Sequence, residues 1–230
     1  MHSSSSHLLS RRRQRVAAQA PHSGDWLLAL PVANCGLRLD DEAVRVAVGM
    51  RLGLSLCVSQ AQGLHAMVCK KVPGKIARHH VLMTSFGEPS VLPGSQLSKS
   101  PLDWTADKDG KRTDALTLIP RQARWPFVCL GRYSRQPIIA ATYVDRAATD
   151  GGTVADMAAT RKTEKYSTLS SAYRLQPVAV ENLGVFSSTT LNIISELGRH
   201  RRCERDFILI RISVTQQRFN SVLLRDILTS

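Results

Sequence analysis

The stretch that decides the fold lies between Asp109 and Tyr166, and it contains DGKRTDALTLIP (109–120), WPFVCLGRYSRQPIIAATYVD (125–145) and RKTEKY (161–166). Ala115 to Ile119 and Pro126 to Leu130 are short, rich in apolar residues and only a few residues apart. This pattern predicts an antiparallel pair of strands. Downstream, Thr153 and Asp156 form a capping signal for a helix that we expect to run to about residue 173.

The remaining chain adds helices and one more strand. In LRLDDEAVRVAVGMRLG, Asp40 is placed to open a helix and Gly53 to stop it. Further elements are predicted at Gln176–Val180 (strand), Thr189–Leu197 (helix) and Phe207–Ile227 (an amphipathic segment). The stretch 83–109 has no regular period, and residues 1–24, which are rich in Ser and Arg, are predicted to be disordered. The mixture of strands and helices predicts an α+β fold.

The deciding stretch also carries the residue types of a metal-dependent phosphodiester hydrolase. Such a site needs carboxylates on neighbouring strands to hold the metal, and a lysine that steadies the attacking water or the leaving charge. Asp114 could supply one carboxylate, and Lys162 or Lys165 the lysine. Val128 to Tyr133, where the second acid should be, offers none. The ordinary alternatives are that Asp114 is a turn residue and that Lys162 packs its stem while its ammonium stays in water.

A second candidate site is the spacing C-x7-H-x3-C formed by Cys57, His65 and Cys69. Zinc in a structural site takes four nitrogen or sulfur ligands in a closed tetrahedron, and only three are present in this spacing. Packing of the three side chains is the alternative. The spacing alone therefore leaves the tetrahedron open, and we expect no bound cofactor.

The overall charge favours a polyanionic partner. Lys and Arg number 31 against 18 acids, giving a formal charge of +13 in 230 residues. Such an excess favours phosphate contacts, whereas 5% aromatic content provides few platforms for stacking bases. Solubility alone is the competing explanation. Five scattered cysteines do not form a disulfide framework, and no apolar run approaches a membrane span, so nucleic acid is the predicted partner and a membrane is not.

Several ordered motifs resemble one known family. PHSGDWLLALP, CGLRLDDEAVRVAVGMRLGL, GLHAMVCK, ARHH, AATRKTEKY and LQPVAVENLGVF look like the C-terminal region of non-LTR retrotransposon polyproteins, which follows the reverse transcriptase. The resemblance covers about residues 15–230. It implies a zinc knuckle followed by a restriction-endonuclease-like (PD-(D/E)xK) core, with Zn²⁺ and Mg²⁺ as the ancestral metals. The implied divisions are a disordered basic tail (1–24), a linker with a degenerate knuckle (25–80) and the endonuclease-like domain (81–230).

The resemblance assigns roles residue by residue. Asp114 matches the aspartate of the family motif RPDG, and Lys162 and Lys165 match its K-x-x-K-Y lysines. The residues matching three knuckle ligands are Cys57, His65 and Cys69, and those expected to contact nucleic acid are Arg78, His79, Lys111 and Arg112.

The departures from the family pattern predict a decayed copy. RPDG has become RTDA, the knuckle lacks its Cys-x-Cys portion, and the strand motif WDVTV with the second catalytic aspartate is absent. Codons can be chosen for Leu130–Tyr133 (LGRY) that spell WDVT when they are read one base later. Codons chosen for Ser100–Thr105 likewise spell a family-like motif in a shifted frame. The two fits suggest frame slips. We therefore expect an inactive, partly degraded endonuclease-like fragment without a polymerase region.

Alternatives are a non-catalytic basic nucleic-acid-binding module, or a still-active metal-dependent DNA endonuclease that uses another acid such as Asp145 or Glu181. The expected location is nuclear or cytoplasmic, with a mitochondrial transit segment as a minor alternative.

Overall fold

The computed structural model describes residues 14–54, 56, 74, 77–78, 81–82, 97–98, 115–117, 128–135, 150–165, 167, 174–197 and 202–228. The described helices are α1 (Asp41–Leu52), α2 (Thr153–Lys165), α3 (Ser188–Leu197) and α4 (Arg202–Leu228). The described strands are β1 (Leu97–Ser98), β2 (Ala115–Thr117), β3 (Val128–Arg135) and β4 (Arg174–Glu181). Two short 3-10 helices, Asp25–Leu28 and Ala33–Cys35, precede α1.

The four strands form one sheet in the order β1-β2-β3-β4. β2 is antiparallel to both of its neighbours, β1 and β3, and Ala115 pairs with Leu130, which confirms the predicted antiparallel pair. β3 continues beyond the predicted strand and pairs in parallel with β4 along its whole length, from Val128↔Arg174 to Arg135↔Glu181. A parallel pair needs a crossover connection, and α2 lies in the connection between these strands.

Helices cover both faces of β4, and the side chains of β4 point alternately to these two faces. Ala179 packs against Ala155, Ala158 and Ala159 of α2. The neighbouring Val178 and Val180 contact the opposite layer, whose buried members are Leu82, Phe186, Ile193, Ile194, Ile208, Leu209 and Ile212. The sheet is therefore enclosed at β4 between α2 on one side and the pair α3 and α4 on the other.

Helix α1 has the ends that its sequence predicts. The Asp40 carboxylate accepts a hydrogen bond from the Ala43 amide at 2.7 Å, and Gly53 closes the helix in the left-handed conformation at φ 69°. Its inner residues Val46 and Met50 pack with Leu223 of α4. The predicted helix is confirmed, with capping chemistry at both ends.

Helix α4 differs from its predicted amphipathic character. Every residue from 212 to 217 is buried, and so are the polar side chains Gln216, Gln217 and Asn220. The physical reason is that α4 is covered from several directions, by α1, by α3 and by the 3-10 helix Asp25–Leu28. No described helix is long and apolar enough to cross a membrane.

Part of the predicted disordered tail is ordered in the structure. Residues 14–19 form a helical segment, and Ala17 packs into the cluster of Val46 and Leu223. Ser23 donates to the Ala18 carbonyl at 2.7 Å, and the Trp26 amide donates to Ser213 Oγ at 3.2 Å. Burial of small apolar residues against α1 and α4 therefore orders residues 14–24, despite their polar composition.

Candidate functional site

The structure describes three of the predicted site residues, namely Lys162, Lys165 and Arg78. The other predicted site residues lie outside the described residues, and they are Cys57, His65, Cys69, His79, Lys111, Arg112 and Asp114. The described parts of the candidate site are therefore α2, the backbone register of β2, β3 and β4, and the surroundings of Arg78.

Lys162 lies on the side of α2 that packs against the sheet. It follows Ala155 by seven residues and Ala158 by four, so the helical repeat puts all three on one face. Lys162 is half-buried, whereas Lys165 is exposed. The half-burial of Lys162 fits a lysine whose stem continues the apolar stripe of α2, which is one of the two alternatives for this residue.

The position of Lys162 along the direction of β4 can be estimated from the rise per residue of the helix and of the strand. The first residues of α2 contact Glu181 at the end of β4, so α2 runs antiparallel to β4. Lys162 lies about 6 Å along the helix axis from Ala158, and Pro177 lies about 6.6 Å along β4 from Ala179. Lys162 is thus near the level of Pro177, which pairs with Gly131 of β3.

The same region of the sheet receives the chain that follows Asp114. Ala115, the next residue, pairs with Leu130, which itself precedes Gly131. The start of β2 at Ala115, Gly131 of β3 and Lys162 of α2 therefore belong to one part of the fold.

The two faces of the sheet distinguish position 131 from position 130. Pro177 is two residues from Ala179, so it belongs to the α2 face, and Gly131 is its partner. Gln176, the partner of Leu130, belongs to the other face, since its amide donates to the Thr189 carbonyl of α3 at 3.3 Å. An acid facing α2 is therefore possible at position 131 and not at position 130.

Arg78 is fully buried, with its guanidinium 3.5 Å from Asn182 Oδ1. Gln216 Nε2 reaches the same oxygen at 3.4 Å and Asn220 Oδ1 at 3.3 Å. A contact between Arg78 and nucleic acid stays a prediction, but the structure describes this side chain within a polar cluster of the interior. No motif singled out in the sequence indicated this cluster, whose available signal was the spacing of four between Gln216 and Asn220 in QQRFN.

Glu181, the alternative acid of an active enzyme, is 2% exposed. Its Oε1 accepts hydrogen bonds from the amides of Gly152 and Ala155 at 3.1 and 3.3 Å. Burial raises the pKa of this carboxyl to about 7, against the lowering effect of these amides. An enclosed carboxyl that caps a helix is poorly placed to bind a metal together with a DNA phosphate.

The residues of the predicted capping signal, Thr153 and Asp156, do not cap α2 in the way that the sequence predicts. The amides at the start of α2 bond to Glu181, which arrives from β4. Asp156 Oδ1 instead accepts from the amide and hydroxyl of Ser188 at 2.7 and 2.8 Å, which caps α3. The two acids thus join the starts of α2 and α3 at the end of β4.

No protein-family model, curated protein or solved structure matches this chain. Within the part of the chain that the structure describes, no group of three or more His, Cys, Asp or Glu side chains is arranged to hold a metal ion. The sequence motifs and the geometry around α2 and β3 are therefore the features that bear on function.

Proposed function

We propose that this chain is the endonuclease-like region of a non-LTR retrotransposon polyprotein, restriction-like in fold, catalytically inactive and able to bind DNA without sequence preference. The observation that carries the proposal is the position of Lys162 near the level of Gly131. The motif residues on α2 thus share one part of the fold with the strand on which the family resemblance expects an acid.

The loss of activity follows from what β3 lacks. All eight residues of β3, from Val128 to Arg135, are without a carboxylate. Asp114 alone provides too few ligands to hold a metal ion and to position the attacking water. On β4 the only carboxyl is Glu181, which is buried against the start of α2. The arrangement therefore supports a scaffold without nuclease chemistry.

DNA binding is supported by the formal charge of +13 and by the exposed Lys165 at the end of α2. Contacts of this kind act mainly through phosphates, so affinity falls steeply with salt and does not depend on sequence. A basic binding module of unrelated origin shares this property. Restoring the lost strand motif and testing for DNA cleavage separates such a module from a decayed endonuclease.

The test combines a salt titration of duplex DNA binding with a cleavage assay on supercoiled plasmid in Mg²⁺ or Mn²⁺. We expect affinity to fall at least tenfold between about 50 and 200 mM salt, and no nicking above the EDTA control. Lys165→Ala should reduce the slope of log K against log salt by about 1, if this lysine contacts a phosphate. Arg45→Ala is the matched control, because Arg45 is exposed on α1 and paired with Glu42 at 2.7 Å.

The outcomes separate an active endonuclease from the two non-catalytic functions. Affinity that is independent of salt excludes a phosphate-binding surface. Metal-dependent nicking by the unchanged protein shows that it is still an active enzyme and that its second acid lies elsewhere in the chain.

A further inference from the structure

The joint between β4 and α2 contains a buried carboxyl whose two oxygens have different surroundings. Glu181 is the last residue of β4, and its Oε1 accepts from the amides of Gly152 and Ala155 at 3.1 and 3.3 Å. Its Oε2 is also buried, and within the described part of the chain no donor reaches it. A charged carboxylate buried here is costly, because one of its oxygens forms no hydrogen bond with the described residues.

The amides of Gly152, Val154 and Ala155 favour a negative charge on Glu181, but the effect of burial outweighs them. Asp156 of α2 is close enough to disfavour a second negative charge. Among the described residues, the other titratable or charged groups on the elements around this joint are His22, which stands edge-on to Phe186 at 6.0 Å, Asp25 bonded to His22, Arg78 beside Asn182, and Arg135, which pairs with Glu181 in the backbone register. α4 contributes the neutral amides Gln216 and Gln217 on this side of the core.

We propose that Glu181 is a proton-operated latch that holds the start of α2 on the end of β4. With a proton on the carboxyl, Oε1 still accepts the two amides and no net charge is buried. When the proton leaves to solvent, the buried charge beside Asp156 favours opening of the joint, in which Glu181 moves toward water and the first turn of α2 loses its cap.

The consequence reaches the motif lysines because they are on the same helix. α2 packs through Ala155, Ala158 and Ala159 onto Ala179, and Lys162 continues that face. Loosening of the first turn of α2 therefore changes how firmly Lys162 and Lys165 are held against the sheet. The latch does not depend on the proposed function, since it uses only the contacts between β4 and α2.

The direction of the pH effect follows from proton binding in the two states. The pKa of Glu181 is raised by burial to about 7 in the folded protein, from 4.5 as the ordinary value. Between these pH values the folded state binds more protons than the unfolded state, so stability falls as pH rises through this window and levels off above it. The unfolding equilibrium constant should increase about 30-fold from this group alone between about pH 5.5 and pH 8.5.

The test compares urea unfolding of the wild-type protein and of Glu181→Gln across that pH range. Glutamine keeps an oxygen for the amides of Gly152 and Ala155 but cannot ionise. We expect the ratio of the wild-type unfolding constant to that of Glu181→Gln to rise about 30-fold between about pH 5.5 and pH 8.5. Glu42→Gln is the matched control, because Glu42 is exposed on α1, and its pH profile should follow the wild-type profile in this window. A ratio for Glu181→Gln that stays constant overturns the latch.

A measurement on the wild-type protein keeps the proposal falsifiable if Glu181→Gln does not fold. Carbon NMR of protein labelled at the glutamate carboxyls should show one buried carboxyl that titrates near neutral pH. In parallel, amide exchange at Gly152 to Asp156, corrected for intrinsic rates, should lose at least tenfold protection above that pH. Titration of every glutamate below about pH 5.5, or protection that does not change, overturns the latch.

Discussion

Asn220 Nδ2 of α4 donates a hydrogen bond to the backbone carbonyl of Asn182 at 2.8 Å. Asn182 begins the turn that follows β4, so this bond connects the longest helix of the described chain to the end of the sheet. The Asn220 amide also donates to Gln217 Oε1 at 3.1 Å and its oxygen accepts from Gln216 at 3.3 Å. One buried amide therefore satisfies three groups that have no access to water.

Asn220→Ala should lower the free energy of unfolding by about 1–3 kcal/mol, because it leaves the Asn182 carbonyl and its glutamine neighbours without their partner in the interior. Urea unfolding followed by circular dichroism measures the change. Asn192→Ala, at an exposed site on α3, is the control and should change stability by less than about 0.5 kcal/mol. Equal effects at the two positions contradict a structural role for the polar cluster.

Repair of the lost strand motif should restore metal-dependent nicking only in one register. WDVT placed on Leu130–Tyr133 puts the acid at Gly131→Asp, whose partner Pro177 is on the α2 face with Lys162. Combined with Thr113→Pro and Ala115→Gly, this version should cut plasmid in Mg²⁺ or Mn²⁺.

The control for the repair is the same motif shifted by one residue, with the acid at Leu130→Asp. Because a shift of one residue moves a side chain to the other face of a sheet, this version should remain inert. Asp114→Ala in the active version should abolish nicking. If both versions fold and neither cuts, the endonuclease origin or the frame-slip account is wrong.

Zinc should bind weakly or not at all, because Cys57, His65 and Cys69 leave a tetrahedral site with one ligand missing. Metal analysis of protein purified without chelator measures the zinc content. Stoichiometric zinc that is lost in Cys69→Ala would falsify this expectation and would require a fourth ligand such as His79. Cys35→Ala is a suitable control, because Cys35 is exposed and unbonded in the structure.

Gly151→Ala should destabilise the packing of the N-terminal segment by about 1–3 kcal/mol, as is common when a core has no room for a further methyl group. A Cβ at this position meets the Ala20 methyl group and lies 3.4 Å from the Val16 carbonyl oxygen. Gly24→Ala is the control, because there the nearest atom is 3.5 Å away, at the flexible end of Arg51. Thermal unfolding measures the melting temperatures of both variants. Equal melting temperatures for Gly151→Ala and Gly24→Ala contradict tight packing of residues 14–20 against Gly151.

The sequence by itself determined the elements whose signals are local. Asp40 and Gly53 set the ends of α1, because capping acts within one helical turn, and the short strands Ala115–Thr117 and Val128–Arg135 start within two residues of the predicted positions. α3 (Ser188–Leu197) begins one residue before its predicted start and ends at the predicted residue.

Only the tertiary structure decided the contacts between distant parts of the chain. The cap of α2 comes from Glu181 instead of Thr153, and α4 is enclosed with Gln216 and Asn220 inside. The assignment of position 131 to the α2 face depends on the parallel register of β3 and β4. Local patterns carry no information on these features, because register and burial are set by which elements pack together, and a shift of one residue in a strand exchanges its two faces.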